Sequence, residues 1–376
     1  MRILIDARVI QDHFPGIGRY VYNLVDAMAP QWHGELVLLV AAHAVNTRYD
    51  LKHLARHANV LLVPTDIPVF HWRSQTTLPG LIRSLGPQVV HFAYNVRPLV
   101  LGLPSVLTLY DVIPRRFPHY FARTARWKIE GIQRAALRAS HALVAISQST
   151  ADDFVTLYHV PRQRVTVAPL APDPVFHPRP QAEMAAFRRR MGLPERYFLY
   201  LGSNKPHKNL PRLIRAFGES QKLKGAGPKN VLVVAGHWDE RYPEAKAMAV
   251  SLGLADGVRF LGPVSGHDLP LLYAASWAFV FPSQYEGFGL PVLEAMASGV
   301  PVACSRAPGL SEVAGQAALG FDANSVAEMA DVLFRLGTDV SGRAQLIRLG
   351  TTRAQHFSWQ ETARLTLAVY ERLARA

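Results

Sequence analysis

Phe281-Pro282-Ser283-Gln284-Tyr285-Glu286-Gly287-Phe288-Gly289-Leu290-Pro291-Val292-Leu293-Glu294-Ala295-Met296-Ala297-Ser298-Gly299 is the stretch on which the reading of this chain turns. An apolar strand ends near Phe281. A helix is expected after it, with Pro291 in its first turn and Gly299 as its stop, because proline suits the start of a helix and glycine its end. The backbone amides from Gly287 to Leu290 then point out of a helix N-terminus. Such amides hold a phosphate without any side chain, and Gly287 and Gly289 let the backbone come close to it. On this reading Glu294 falls in the first helical turn and Glu286 in the loop before it. Either glutamate alone would read as a solvated group or a complement to the helix dipole. Two of them, with seven residues between them around Gly-Phe-Gly-Leu-Pro, can grip a sugar and a ribose while the amides hold a diphosphate.

The same pattern of strand, loop and helix recurs along the 376 residues. Strand-like runs lie at 3–7, 36–41, 60–63, 89–92, 106–109 and 142–146, and again at 197–201, 231–235, 258–261, 278–281 and 301–303, with helical segments between them. Strands alternating with helices imply parallel sheets covered on both faces. Between Pro169 and Pro180 the alternation lapses into a proline-rich segment that suits a linker. The expected fold is therefore α/β, with domains at 1–178 and 179–357 and a final helix over 358–376. That helix opens on the capping pattern Ser358-Trp359-Gln360-Glu361 and shows Ala363, Leu367, Tyr370 and Leu373 on one face. Ligands of such sheets bind outside the carboxyl ends of the strands, so two such domains facing each other create a cleft.

The glutamate pair and its surroundings resemble the Glu-x7-Glu signature of retaining glycosyltransferase family 4, which has the two-domain GT-B fold. The resemblance runs over nearly the whole chain. It takes in Gly16 to Tyr20, Leu201 to Asn209, Val258 to Gly262 and Phe357-Ser358-Trp359. It implies that Glu286 contacts the transferred sugar and Glu294 the donor's ribose. It also implies that Gly287, Phe288, Gly289 and Leu290 lie against the donor, with Gly262 among the donor-binding positions. Lys208 matches the family's diphosphate-binding lysine. Where the family often carries arginine after the strand's glycine, this chain has Ser203, and Lys205 is the candidate to take over; apart from the resemblance, Lys205 and Lys208 read as surface charges of a loop. Gly16 and Gly18 resemble a flexible glycine loop that approaches the donor phosphates; the plain reading of the same residues is a turn leading into a helix. A nicotinamide or flavin site is not expected, because the third glycine of the dinucleotide motif is replaced by Val21. Tyr110 and Asp111 stand where the family commonly has His-Asp. A phenol there can donate a hydrogen bond but cannot shuttle protons at neutral pH, and the plain alternative is that Tyr110 packs and Asp111 caps a turn. Ser147 reads as a helix N-cap.

The resemblance implies a hexosyl transfer with retention, in which the departing diphosphate helps deprotonate the acceptor. No cofactor and no metal are expected. GDP-mannose is the first donor candidate and a UDP-sugar the second, with a glycan or lipid-linked oligosaccharide as acceptor. A different GT-B enzyme, an epimerase or phosphorylase, and a catalytically silent carbohydrate-binding protein are the competing readings.

Composition sets the remaining bounds. The formal net charge is +13, with 19 basic against 11 acidic residues in 1–180 and 22 against 17 in 181–376. No nucleic-acid recognition motif accompanies it. Cys304, the single cysteine, reads as a buried thiol. His53 and His57 have the spacing of one helical face, but no carboxylate lies between them, so they read as surface histidines. With no long apolar run, a cytoplasmic location is expected. Arg115, Arg116, Arg123, Arg126, Lys128, Arg134 and Arg138 are interleaved with Phe117, Tyr120, Phe121 and Trp127, which suits peripheral contact with an anionic membrane on its inner face; the plain alternative is that the aromatics face the core and the arginines water.

Overall fold

The computed structural model describes residues 1–223 and 230–375. The chain divides into two compact units, one formed by Met1–Leu170 together with the chain from Ser358, the other by Ala171–Phe357. The division falls at the start of the proline-rich segment rather than after residue 178. Phe176 packs its ring on Tyr273 at 5.6 Å, and Pro178 lies against Gly299, so this stretch belongs to the second unit.

In the first unit, β1 (Arg2–Asp6), β2 (Glu35–Ala41), β3 (Val60–Thr65), β4 (Val89–Phe92), β5 (Ser105–Leu109), β6 (Ala142–Ala145) and β7 (Val165–Val167) form one sheet in the order β3-β2-β1-β4-β5-β6-β7. All its pairings are parallel. The central strands are buried at every position, as the unbroken apolar runs require, while the edge strand β3 is half-exposed. The second unit repeats the plan with β8 (Tyr197–Leu201), β9 (Val231–Ala235), β10 (Val258–Gly262), β11 (Ala278–Phe281), β12 (Val302–Ser305) and β13 (Ala318–Phe321), ordered β10-β9-β8-β11-β12-β13 and again parallel. The α/β expectation of two parallel-sheet Rossmann-like domains is met. Two strands escaped the sequence reading. β7 has three residues and β13 carries Gly320, so neither makes an apolar run long enough to register.

In both sheets the order reverses once, at β1/β4 and at β8/β11. Loops leaving the carboxyl ends of two such neighbouring strands diverge to opposite faces and leave a crevice between them, the usual ligand position of a doubly wound sheet.

The glycine loop expected around Gly16 and Gly18 is helical instead. The first helix runs from Pro15 to Met28, with proline at its start, and Gly18 N donates to the Phe14 carbonyl at 2.7 Å. Gly18 is required for space, since a Cβ there would meet the Val9 carbonyl at 2.9 Å. The last helix, Trp359–Arg375, buries Ala363, Leu367 and Tyr370 as its pattern indicates. Ser358 Oγ accepts from Glu361 N at 3.1 Å, while the Glu361 carboxylate turns to Arg364. Tyr370 from this helix meets His91 Nδ1 at 2.5 Å, and His91 Nε2 meets Thr108 Oγ1 at 2.7 Å. That buried chain of hydrogen bonds joins the helix to β4 and β5.

His91 is fully buried, and desolvation pushes its imidazole down to about 3. In the unfolded chain it would titrate near its ordinary value of about 6.5. Between those values only the unfolded state binds the proton, so this contribution to stability is complete above pH 6.5 and is lost as pH falls towards 3. Urea unfolding of the first unit should lose about 2 kcal/mol from this residue between pH 7 and pH 5. A His91→Gln variant, less stable at pH 7, should lack that part of the slope.

Candidate functional site

In the second unit the crevice at β8/β11 is built from two loops, 202–209 and 282–289. The first ends in a short turn over Pro206–Lys208, and Asn209 then adopts a left-handed backbone, φ 63°, before the helix Leu210–Ser220. Asn209 holds the loops together. Its side-chain amide donates to the Pro282 carbonyl at 3.1 Å and to the Ala323 carbonyl at 2.7 Å, joining the segments after β8, β11 and β13. A further tie runs from Gln284 N to the His207 carbonyl at 2.8 Å. Burial and the neighbouring Lys208 and Lys205 keep His207 neutral, with its imidazole pushed down to about 3.

These ties bring Lys208 Nζ to 2.7 Å from Glu286 Oε1. Both side chains are mostly covered, at 19% and 16% exposure, and Lys208 also lies over the Phe281 ring at 5.3 Å. Beside them Gly289 (φ 130°) caps the helix Leu290–Ala297. Among the described residues, the amides of Phe288, Gly289 and Leu290 donate to no other group. A cation and a set of outward amides thus stand at the switch point of the sheet, a combination suited to an anion. Gly309 permits the arrangement. A Cβ there would lie 2.2 Å from the Glu286 carbonyl.

Glu294 departs from expectation. The helix begins only at Leu290, so Glu294 is its fifth residue and falls in the second turn. It is buried, at 3% exposure, and Tyr273 donates its hydroxyl to Oε2 at 2.9 Å. Tyr273 was not singled out by the sequence; it sits in Leu269–Ala274, far along the chain, where an aromatic residue reads only as core. Phe288 is also a core residue, its ring packed edge-on to Phe357 at 5.8 Å, so it offers the crevice backbone alone. Ser203 accepts the Tyr200 hydroxyl on its carbonyl at 2.6 Å, and Lys205 is exposed. Gly262 (φ 71°) ends β10 and lines a cavity of about 220 Å³ with Gly202, Asn204, Gly236, Trp238 and Lys246, at the carboxyl ends of β8, β9 and β10.

The remaining candidates lie in the first unit. Tyr110 donates its hydroxyl to the Ala93 carbonyl at 2.8 Å, and burial raises its phenol well above the usual range, so its proton is committed to the fold. Asp111 accepts from Ile113 N at 3.1 Å, capping a turn. Ser147 caps its helix, accepting from Thr150 N at 2.8 Å. Gly16 has open space around it, unlike Gly18. Cys304, in the second unit, is buried and its thiol is pushed up to about 12 by desolvation, which leaves it inert at neutral pH.

Comparison with known proteins matches this arrangement. Residues 15–175 match the model of Glycosyltransferase Family 4, and residues 185–352 that of Glycosyl transferases group 1. The O-antigen chain mannosyltransferase B of Escherichia coli is 32% identical over 99% of this chain and 100% of its own length. The chain belongs to glycosyltransferase family 4. The enzyme is also similar to the O-antigen chain mannosyltransferase RfbU of Salmonella typhimurium, with 28% identity over 64% of this chain and 62% of the relative. A crystal structure of HepE from Anabaena with UDP and glucose superposes with a TM-score of 0.77 at 19% identity, covering 99% of both chains. It shares the GT-B fold with this glycosyltransferase.

Because the Glu286 backbone rests against Gly309, Gly309→Ala should lower the transfer rate by about 10²-fold, the size of loss that a misplacement of an ångström can cause. Gly266→Ala, which places its Cβ in open space, should leave the rate unchanged. Steady-state kinetics on variants of unaltered circular dichroism check both.

Proposed function

We propose that the enzyme transfers a mannosyl group, with retention, from GDP-mannose to a glycan or lipid-linked oligosaccharide acceptor. The observation that carries this reading is the Lys208–Glu286 pair beside the uncommitted amides of Phe288, Gly289 and Leu290. A diphosphate is the anion that fits a cation and a row of amides. A sugar joined to it would lie on the Glu286 carboxylate. The cavity edged by Gly262 and Trp238 is of a size for the base, with Glu294, held by Tyr273, on the ribose. The mannosyl assignment rests on the two O-antigen mannosyltransferases, and a UDP-sugar is the second candidate for the donor.

As the glycosidic bond breaks, negative charge grows on the departing diphosphate. Lys208, with Lys205 at the rim, and the free amides stabilise that charge in place, at no cost of reorganisation. Glu286 holds the sugar and faces the positive character that develops on its ring. The diphosphate accepts the acceptor hydroxyl's proton, so no enzyme base is required, consistent with the commitment of Tyr110 to Ala93. The reaction as proposed calls on no cofactor and no metal.

Acceptor binding is assigned to the first unit. A cavity of about 380 Å³ opens at the carboxyl ends of β1, β2 and β3, lined in part by Arg8, Phe14, His43 and Phe70. The Phe14, Phe70 and Tyr94 rings cluster there at 5.2–6.2 Å, offering apolar faces on which sugar rings stack. For the membrane, the helix Arg123–Ala139 exposes Trp127 at 68% and Ile132 at 42%. Arg115, Arg116 and Arg126 are paired with Glu130 or Asp153. Among the described residues no ion pair engages Arg123, Lys128, Arg134 or Arg138. These four cations with Trp127 form the surface proposed to rest on the inner face of an anionic bilayer, from the cytoplasmic side. No described helix is long and apolar enough to cross a membrane.

Lys208→Met should lower kcat by about 10²- to 10³-fold, as loss of one preorganised charge-stabilising group does elsewhere. Glu286→Gln should lower kcat with little change in donor KM, whereas Glu294→Ala should raise donor KM, because ribose contacts are alike in ground and transition states. Wild-type kcat in Lys208→Met, or the same pattern in both glutamate variants, contradicts the assignment. NMR of the product's anomeric proton tests retention. In co-sedimentation with vesicles, binding should rise with anionic lipid and fall with salt. A Lys128→Glu/Arg134→Glu variant should stay in the supernatant; equal binding by that variant rules this surface out.

A further inference from the structure

In the first unit, three side chains from separate elements converge on one point. Asp26 projects from the helix Pro15–Met28, His53 from the short helix Leu51–Leu54 and His57 from the turn after it. His53 Nε2 and His57 Nε2 each lie 2.8 Å from the same carboxylate atom, Asp26 Oδ1. All three donor atoms fall within 4.8 Å of one another. The carboxylate missing between the histidines in sequence is supplied by the fold from a residue 27 and 31 positions away.

We propose that Asp26, His53 and His57 form a binding site for a borderline divalent transition-metal ion, of which Zn²⁺ is the representative. Two imidazoles and one carboxylate are a donor set for Zn²⁺, Ni²⁺ or Cu²⁺; Mg²⁺ and Ca²⁺ prefer oxygen alone. Bonds of about 2.0–2.2 Å at a tetrahedral centre place neighbouring ligand atoms about 3.3 Å apart, so each N···O contact opens by only about 0.5 Å to admit the ion. The two rings shift their proton to Nδ1, freeing Nε2 to coordinate, and water completes the fourth position. Side-chain exposures of 38%, 42% and 25% for Asp26, His53 and His57 leave a route in from solvent.

The bound ion joins the first helix to the segment Leu51–His57. That segment is already tied to the start of the same helix. Tyr49 donates its hydroxyl to the Pro15 carbonyl at 2.5 Å, and its ring lies close against Gly18. The ion is therefore a cross-link that fixes the helix carrying Gly16 and Gly18, and it takes no part in the transfer step.

Isothermal titration of the whole chain with ZnCl₂ in chelator-treated buffer tests the site. One equivalent should bind saturably with a Kd in the micromolar range or below. Asp26→Asn and His57→Ala should each weaken binding by at least about tenfold, since loss of groups that merely orient a metal ligand already costs about 10–100-fold. His43→Ala, which removes an exposed histidine paired with Asp66, should bind as wild type. Co²⁺ should give the visible absorption of a four-coordinate ion, lost in Asp26→Asn, and Mg²⁺ should give no heat. Absence of saturable Zn²⁺ binding, or undiminished affinity in both Asp26→Asn and His57→Ala, means that the cluster is a hydrogen-bonded histidine pair only and overturns the proposal.

Discussion

Lys208 and Glu286 stand 78 residues apart in sequence, and the 2.7 Å ion pair between them depends on β8 and β11 being neighbours. Crossovers carry the chain from β8 outward through β9 and β10, and others carry it from β11 outward the other way through β12 and β13. The two loops at the centre are thereby left without a crossover above them. Lys208 and Glu286, carried on those two loops, are brought within hydrogen-bond reach of each other. The cation, the carboxylate and the helix N-terminus in this protein all follow from that single reversal of strand order.

Holding two opposite charges there has an energetic cost, since each is more than four-fifths covered and burial removes much of their hydration. Partners on every side offset it. The pair is at hydrogen-bond distance, the Phe281 ring lies under the ammonium, and Asn209 and Gly309 fix the loops so that neither side chain needs to search for the other. Under the proposed function, an arriving diphosphate would exchange one anionic partner of Lys208 for another. Such exchange costs less than ordering a free lysine from solvent, which is the physical meaning of a preorganised site.

What could be read from sequence and what could not separate along a physical line. The strands showed as uninterrupted apolar runs because parallel strands are buried on both faces, and the loop around Glu286 showed because proline and glycine mark helix ends. Short or glycine-bearing edge strands such as β7 and β13 did not. Glu294 was placed a turn too early, since the helix waits for Gly289 to supply its positive φ before it begins. Residues whose part is played across long separations left no local mark. Tyr273 on Glu294, Asn209 across three loops, Gly309 under Glu286 and Asp26 between two histidines are ordinary residues until the fold brings their partners to them. Tyr110 shows the reverse case: a candidate by alignment with a motif, it proves to be tied to Ala93.

The claim on which the rest hangs is that the crevice at β8/β11 holds the donor's diphosphate. Hydrogen–deuterium exchange of the whole chain, with and without GDP-mannose or UDP-glucose, measures this at the amides concerned. The account predicts that the effective donor slows exchange at residues 286–290 and 203–209, and that Lys208→Met loses this protection. Protection confined to the first unit, or undiminished protection at 286–290 in Lys208→Met, would contradict it.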